Sequence, residues 1–176
     1  NADSVIENNV LEKYSEMILN NKDCMVVQQS AAFLANYKKL SPFLRSIALL
    51  QTRWTLAHEI PRILTTIGAW GFTEGAHLVA HGLCINLGFM NQIGGFPQKF
   101  LSEDLTLGYF VRLHGVKIYL LKNLENADTP TSIESMFNQY RTWFYALLFY
   151  PNYIKEALHN PKFERWKVIL WGLKYY

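Results

Sequence analysis

Residues 94–121 read GGFPQKFLSEDLTLGYFVRLHGVKIYLL. Gly94, Gly95 and Pro97 mark a turn. Ser102-Glu103-Asp104 then heads a run of Leu105, Leu107, Tyr109, Phe110, Val111 and Leu113, which reads as a helix to about His114, stopped by Gly115. VKIYLL follows with the alternation and composition of a strand. Strands alternating with helices predict an α/β chain with a large helical share. The two acids have a local explanation, since carboxylates in a first helical turn are favoured by the dipole and the free N–H groups, and Ser102 is a ready cap. The helix behind them leaves almost no polar face. That points the acids into a cleft at a buried helix end, where a carboxylate can act as a general base.

Upstream, the apolar residues from Val5 to Ile18 recur at three- and four-residue steps, predicting a helix over 4–19 with Ser4 as cap and Glu7 three residues on. CMVVQQSA reads as a short strand with polar residues at its far end. Residues 37–67 read as a long helical tract broken by Pro42 and Pro61, carrying Arg45, Arg53 and Arg62 among Trp54 and many aliphatics. HLVAHGLCINLGF holds too much glycine for a regular helix and reads as strand or loop. After the loop ENADTP, helices are expected from about Ser132 to Phe149 and from about Lys162 to the end.

The 176 residues are 50% hydrophobic and 18% charged, a globular composition with enough material for one core. A net charge of +3, with no Lys/Arg run and no basic stripe, argues against nucleic acid. The cysteines Cys24 and Cys84 stand in apolar segments without metal-ligand spacing, as reduced packing residues of a cytosolic protein do. No run of eighteen uncharged apolar residues spans a membrane. The C-terminal segments WFYALLFYPNYI and RWKVILWGLKYY mix aromatics with a few basic residues, a blend that suits a membrane interface. The chain opens on Asn1 without a methionine and closes inside an apolar run, as a piece of a larger protein would.

Further candidates are few. Asp3 in the opening NADS is an ordinary pre-helical capping residue unless it meets a hard cation. In QYRTW, Gln139 and Trp143 are four apart and share a helix face, while Arg141 points elsewhere. His77 and His81 are also four apart, but the glycines around them and the lack of a third ligand make a zinc site a poor reading. No P-loop, nucleophile elbow or Cys-His pattern is present, so covalent catalysis has no candidate.

In this order and spacing, NADS, VVQQ, GGFPQKFLSEDLTLGYFVRLHGVKIYLL and NADTPTSIESMFNQYRTW resemble glycosyltransferase family 2, the cellulose-, chitin- and hyaluronan-synthase-like enzymes, over nearly the whole chain. The resemblance implies the C-terminal part of a GT-A catalytic domain over residues 1–130, with acceptor-side and membrane-interface helices over 131–176. It implies an inverting transferase that moves a sugar from a nucleotide-diphospho-sugar, a UDP-sugar by preference, to a glycan or lipid-linked acceptor at the cytoplasmic face of a membrane. By resemblance Asp104 is the general base and Glu103 shapes the acceptor pocket. Asp3 binds a divalent cation, magnesium or manganese, while Gln139 and Trp143 sit at the acceptor and diphosphate side. Gly95 belongs to the turn that frames the acceptor.

The chain departs from the family pattern in three places. Asn1 stands for the first acid of the Asp-x-Asp element, which weakens metal binding. Thr142 replaces the arginine of Gln-x-x-Arg-Trp, with Arg141 one position early, about 100° around a helix. Asn86 occupies a position that is basic in many relatives, leaving His81 to shape the acceptor site. The strand–helix units that hold the nucleotide, and the strands that ought to neighbour CMVVQQ, have no counterpart here, so the chain alone should bind nucleotide poorly. The competing reading is a non-catalytic relative that keeps the fold as an interaction module of a membrane complex.

Overall fold

The computed structural model describes residues 9–64, 78–79, 81–97 and 102–175. It is a mixed α/β structure in which a small sheet sits among helices. The predicted first helix is present as α1 (Val10–Asn20), and its proposed Ser4 cap lies outside the described residues. β1 (Val26–Ala32) follows, then a single 3₁₀ turn (Tyr37–Lys39) and α2 (Pro42–Trp54). Ser41 caps α2, its Oγ accepting from Leu44 N–H at 3.4 Å, with Pro42 in the first turn where a missing N–H costs nothing.

The tract after α2 differs from its reading. Pro61 does not break the helix; a π-helical turn (Thr55–Glu59) precedes it, the Ile60 N–H reaching back five residues to Thr55 O, and α3 (Ile60–Leu64) contains the proline. A proline ring collides with the carbonyl four residues back in a regular helix, and a widened turn relieves that conflict.

β2 (Leu83–Ile85) leads directly into α4 (Leu87–Ile93), a short helix that the glycine-rich sequence conceals. Asn86 caps it by accepting from Phe89 N–H at 2.9 Å, and left-handed Gly94 closes it. α5 (Glu103–Leu113) and β3 (Ile118–Asn126) fall where they are expected, though β3 runs two residues into the predicted loop. α6 (Ile133–Leu148) matches its reading. α7 (Tyr150–His159), with Pro151 in its first turn, is an unforeseen helix, and α8 (Arg165–Tyr175) ends the chain.

The sheet order is β2–β1–β3, with β1 antiparallel to β2 and parallel to β3. Both edges of β1 are therefore taken, and any further strand has only the outer edges of β2 and β3 to join. The β1–β3 register runs from Val26↔Ile118 to Gln29↔Leu121, then resumes at Ala31↔Glu125. One residue of β1 thus faces three of β3, a bulge that re-aims Glu125.

On one face of the sheet Val26 and Ile118 pack with Ile63 of α3, Leu78, Phe89 of α4, and Leu107 and Val111 of α5. On the other, Val27, Tyr119 and Leu121 meet Val10 and Tyr14 of α1 and Cys24, which is free and buried. The other face of α5 contributes Tyr109 and Leu113 to a core shared with Tyr150, Tyr153 and Ala157 of α7 and Val168 and Trp171 of α8. Met136 of α6 packs against Leu40, Leu44 and Ala48.

Gly108 marks where α5 comes closest to its neighbour, since a Cβ there would lie 2.6 Å from the Leu78 backbone nitrogen. A backbone atom cannot rotate away, so Gly108→Ala forces α5 and Leu78 apart. It is expected to cost about 1–3 kcal/mol, seen as a lower urea midpoint with unchanged slope.

Candidate functional site

Asp104 stands at the first turn of α5, half-buried, while Glu103 beside it is exposed. Ser102 does not cap the helix as its sequence suggests. Its hydroxyl donates to Asp104 Oδ1, which also accepts from Leu105 N–H at 2.8 Å. Thr106 Oγ1 donates to Ser102 O at 2.9 Å and holds the segment before the helix in place. These contacts fix one carboxylate oxygen, while Oδ2 makes no hydrogen bond among the described residues. That is the arrangement a positioned base needs, because orientation is a large part of its effect.

Tyr153 of α7 is buried and lies within reach of the Asp104 charge. Burial pushes its phenol up, a hydrogen bond with Thr106 opposes the rise, and the charge of Asp104 adds to it. The Tyr153 hydroxyl donates to Ala146 O of α6 at 3.3 Å, so the later turns of α6 are tied to the neighbourhood of Asp104.

On α6, Gln139 and Trp143 share a face as their spacing predicts. Gln139 Oε1 accepts from Gln51 Nε2 of α2 at 3.2 Å. Trp143 stands edge-on to Tyr140 at 5.4 Å and keeps 42% of its surface exposed, enough for a flat ligand to lie on. Arg141 is exposed, and Thr142 turns its hydroxyl back to Asn138 O at 3.0 Å. Gly94 and Gly95 both adopt the left-handed conformation, φ +93° and +84°, which a side chain would oppose. Gly95 N–H donates to Met90 O at 2.9 Å and thereby ends α4. No hydrogen bond or ion pair among the described residues joins Asp104 to Gln139, Arg141, Trp143 or His81. Asp3 lies outside the described residues. Among those that are described, no group of three or more His, Cys, Asp and Glu could hold a metal ion.

A second polar cluster went unread in the sequence apart from His81. It surrounds the C-terminal ends of the parallel strands, the place where α/β sheets usually present ligands. His81 Nδ1 lies 3.5 Å from Glu125 Oε1, with side chains 16% and 6% exposed, and its ring meets Phe33 edge-on at 5.6 Å. Gly82 next to it, φ +47°, accepts at its carbonyl from Tyr14 OH and, at 3.0 Å, from Gln29 N–H, and a Cβ there would strike the Gln29 side chain at 2.4 Å. Burial raises the Tyr14 phenol to about 12, helped by Cys84 and Glu125. Gln28 and Ser30 of β1 are completely buried. Gln28 Oε1 accepts from Val79 N–H at 3.0 Å, while Gln28 Nε2 is buried with no hydrogen-bond partner among the described residues. The π turn delivers Glu59 toward Ser30, where burial raises its carboxyl against a hydrogen bond with Ser30 and then the charge of His81. The available signals were Gln-Gln-Ser inside a strand of otherwise apolar residues and one acid just before Pro61.

No protein-family model matches this chain, and no curated protein matches it either.

The raised Glu59 carboxyl has a signed consequence. The folded state keeps a proton that the unfolded chain releases in the ordinary carboxylate range, so stability falls as pH rises from that range through the folded value. For one proton the slope is at most about 1.4 kcal/mol per pH unit. Glu59→Gln removes this dependence, and its urea midpoint is expected to overtake that of the wild type as pH rises toward neutrality.

Proposed function

We propose that this chain is the C-terminal part of a GT-A glycosyltransferase domain, acting as an inverting, divalent-cation-dependent transferase from a nucleotide-diphospho-sugar to a glycan or lipid-linked acceptor. The observation that carries the reading is Asp104: a half-buried carboxylate at the head of an otherwise buried helix, one oxygen fixed by Ser102 and Leu105 and the other unengaged among the described residues. The order of motifs along the sequence and the mixed sheet support it.

In this reading Asp104 Oδ2 takes the proton of the acceptor hydroxyl as that oxygen attacks the anomeric carbon from the side opposite the leaving diphosphate. Configuration is inverted and no covalent enzyme intermediate forms. Glu103 lines the approach to Asp104. The Trp143 indole offers a face to a sugar ring, and Gln139, braced by Gln51, offers its amide N–H groups to acceptor or diphosphate oxygens. Asp3 would hold the cation, whose charge offsets that of the leaving diphosphate.

A non-catalytic interaction module remains the second reading. It is favoured by the exposed Arg141 and by Thr142, whose hydroxyl is spent on its own helix.

The same proposal places the C-terminal helices on a membrane surface. Among the described residues no helix is long and apolar enough to cross a bilayer. α6 nevertheless exposes Phe137 and Phe144 at 64% and 62%, and α8 exposes Trp166 and Leu173, with Arg165 and Lys167 beside Trp166. Aromatic and aliphatic side chains of this kind sit at the headgroup level, where basic neighbours meet anionic lipid.

Two measurements test these assignments. In the protein extended to its full catalytic domain, Asp104→Asn is expected to lower kcat for sugar transfer by roughly 10²–10⁴-fold with circular dichroism and nucleotide binding unchanged. Wild-type turnover in that variant removes Asp104 as the base. Vesicles containing anionic lipid are expected to co-sediment the chain, and Phe137→Ser with Phe144→Ser to release it; equal sedimentation of both forms removes the membrane assignment.

A further inference from the structure

The segment from Tyr37 to Leu64 carries more apolar residues than its packing uses. Leu44, Ala48, Gln51, Thr52 and Thr55 turn inward, and Leu44 and Ala48 join Met136 of α6 in a shared core. The opposite side of α2 carries Phe43, Leu50 and Trp54, spaced seven and then four residues apart, so they stand in one row along the helix. They remain 53%, 58% and 48% exposed. Half-buried Ile47 stands in the same row and carries it to the rim of the core shared with α6. A continuous apolar row on a folded surface marks a contact still to be made.

The charges around the row select what makes it. Lys38, Lys39 and Arg53 are exposed, while the single acid between Tyr37 and Leu64, Glu59, turns in to Ser30. Arg45 donates to Lys38 O at 2.8 Å and lies over the Tyr37 ring at 5.7 Å, which fixes the two lysines beside the start of α2. Aromatic and aliphatic side chains rimmed by cations alone are the pattern of a helix that lies in the plane of an anionic bilayer. Its apolar groups enter below the headgroups and its cations stay at the phosphates. α1 gives the contrast. It exposes Leu11 and Leu19 as well, but with Glu12 and Glu16 exposed beside them, and an anionic surface repels that face.

We propose that α2 docks on an anionic lipid bilayer, inserting Phe43, Leu50 and Trp54 and setting Lys38, Lys39 and Arg53 against the lipid phosphates. The proposal shares the membrane location given above to the C-terminal helices, but it stands on different residues and draws nothing from sugar chemistry.

Co-sedimentation of the chain with vesicles of phosphatidylcholine and phosphatidylserine tests it. Lys38→Gln with Lys39→Gln and Arg53→Gln is expected to weaken partitioning by roughly 100-fold. Leu50→Ser with Trp54→Ser is expected to weaken it by about tenfold or more. All five side chains are exposed, so circular dichroism should not change. Trp54→Phe is expected to keep binding and to lose part of the tryptophan quenching by bromine-labelled lipid. Sedimentation of both multiple variants at the wild-type level, or unchanged quenching in Trp54→Phe, overturns the proposal whatever α6 does. Release by the α2 substitutions but not by Phe137→Ser with Phe144→Ser upholds it and counts against the C-terminal surface instead. A wild type that stays in solution removes both. A fall in oligomeric mass for Leu50→Ser with Trp54→Ser, with vesicle binding unmoved, gives the face to a second copy of the chain and overturns the lipid assignment. If a multiple variant misfolds, quenching in Trp54→Phe still decides.

Discussion

A strand enclosed on both faces and paired along both edges admits almost no polar atom without a partner, and β1 carries Gln28, Gln29 and Ser30 in that position. Burying an amide without hydrogen bonds costs on the order of 1–3 kcal/mol, so the surroundings must be arranged to satisfy it. Much of the local architecture follows from this constraint. Val79 N–H turns in to meet Gln28 Oε1, and Gly82 adopts a left-handed backbone and leaves room for the Gln29 side chain. Beyond the strand the same demand ties loops together. Phe33 N–H donates to Thr52 Oγ1 at 3.0 Å, Thr129 Oγ1 donates to Phe33 O at 2.9 Å, and Asn36 clasps the Thr129 backbone through both its amide atoms. The segments that follow β1 and β3 and the last turn of α2 are thereby locked into one unit.

That lock explains how two polar sites of different character coexist. Asp104 sits at a helix terminus, half-open, with its orientation set by residues one and two positions away. His81 and Glu125 sit at strand ends, closed in, with their orientation set by side chains more than forty positions apart in the chain. The first kind of site is a property of a short sequence. The second exists only once the sheet has formed, and its buried polar groups have no counterpart in any local pattern.

This difference accounts for what the sequence disclosed. The turn at Gly94–Gly95, α5 and β3 were legible because their periodicities are strong and their stops are glycines. Asp104 was legible with them. α4 was hidden by Gly88, although its Asn86 cap and Gly94 stop were both in view. α7 went unread, although Pro151 stands in its first turn, where a missing N–H is tolerated. Pro61 misled as a breaker, since the conflict it creates is relieved by a π turn that no spacing rule foresees. Glu59 was lost with that turn. The pairing of His81 with Glu125 was lost because it depends on a bulge, which shifts register without leaving a mark in the composition of VKIYLLKNLEN.

The two sites are not mechanically independent. Leu78 lies against α5 at Gly108, where there is no side chain to separate the backbones, and Val79 next to it is bonded to Gln28 of the central strand. Gly82 is bonded to Gln29 one residue further along the same strand. Packed elements of this sort shift as units rather than bend, because the interior has no slack to absorb the difference. A displacement of α5 that moves Asp104 must therefore either open the contact at Gly108 or carry Leu78 and Val79 with it against β1. The chain has placed its smallest residue at the point where helix and strand-edge segment meet. The position of the carboxylate at one end of α5 is in this way tied to the strand whose buried amides organise His81.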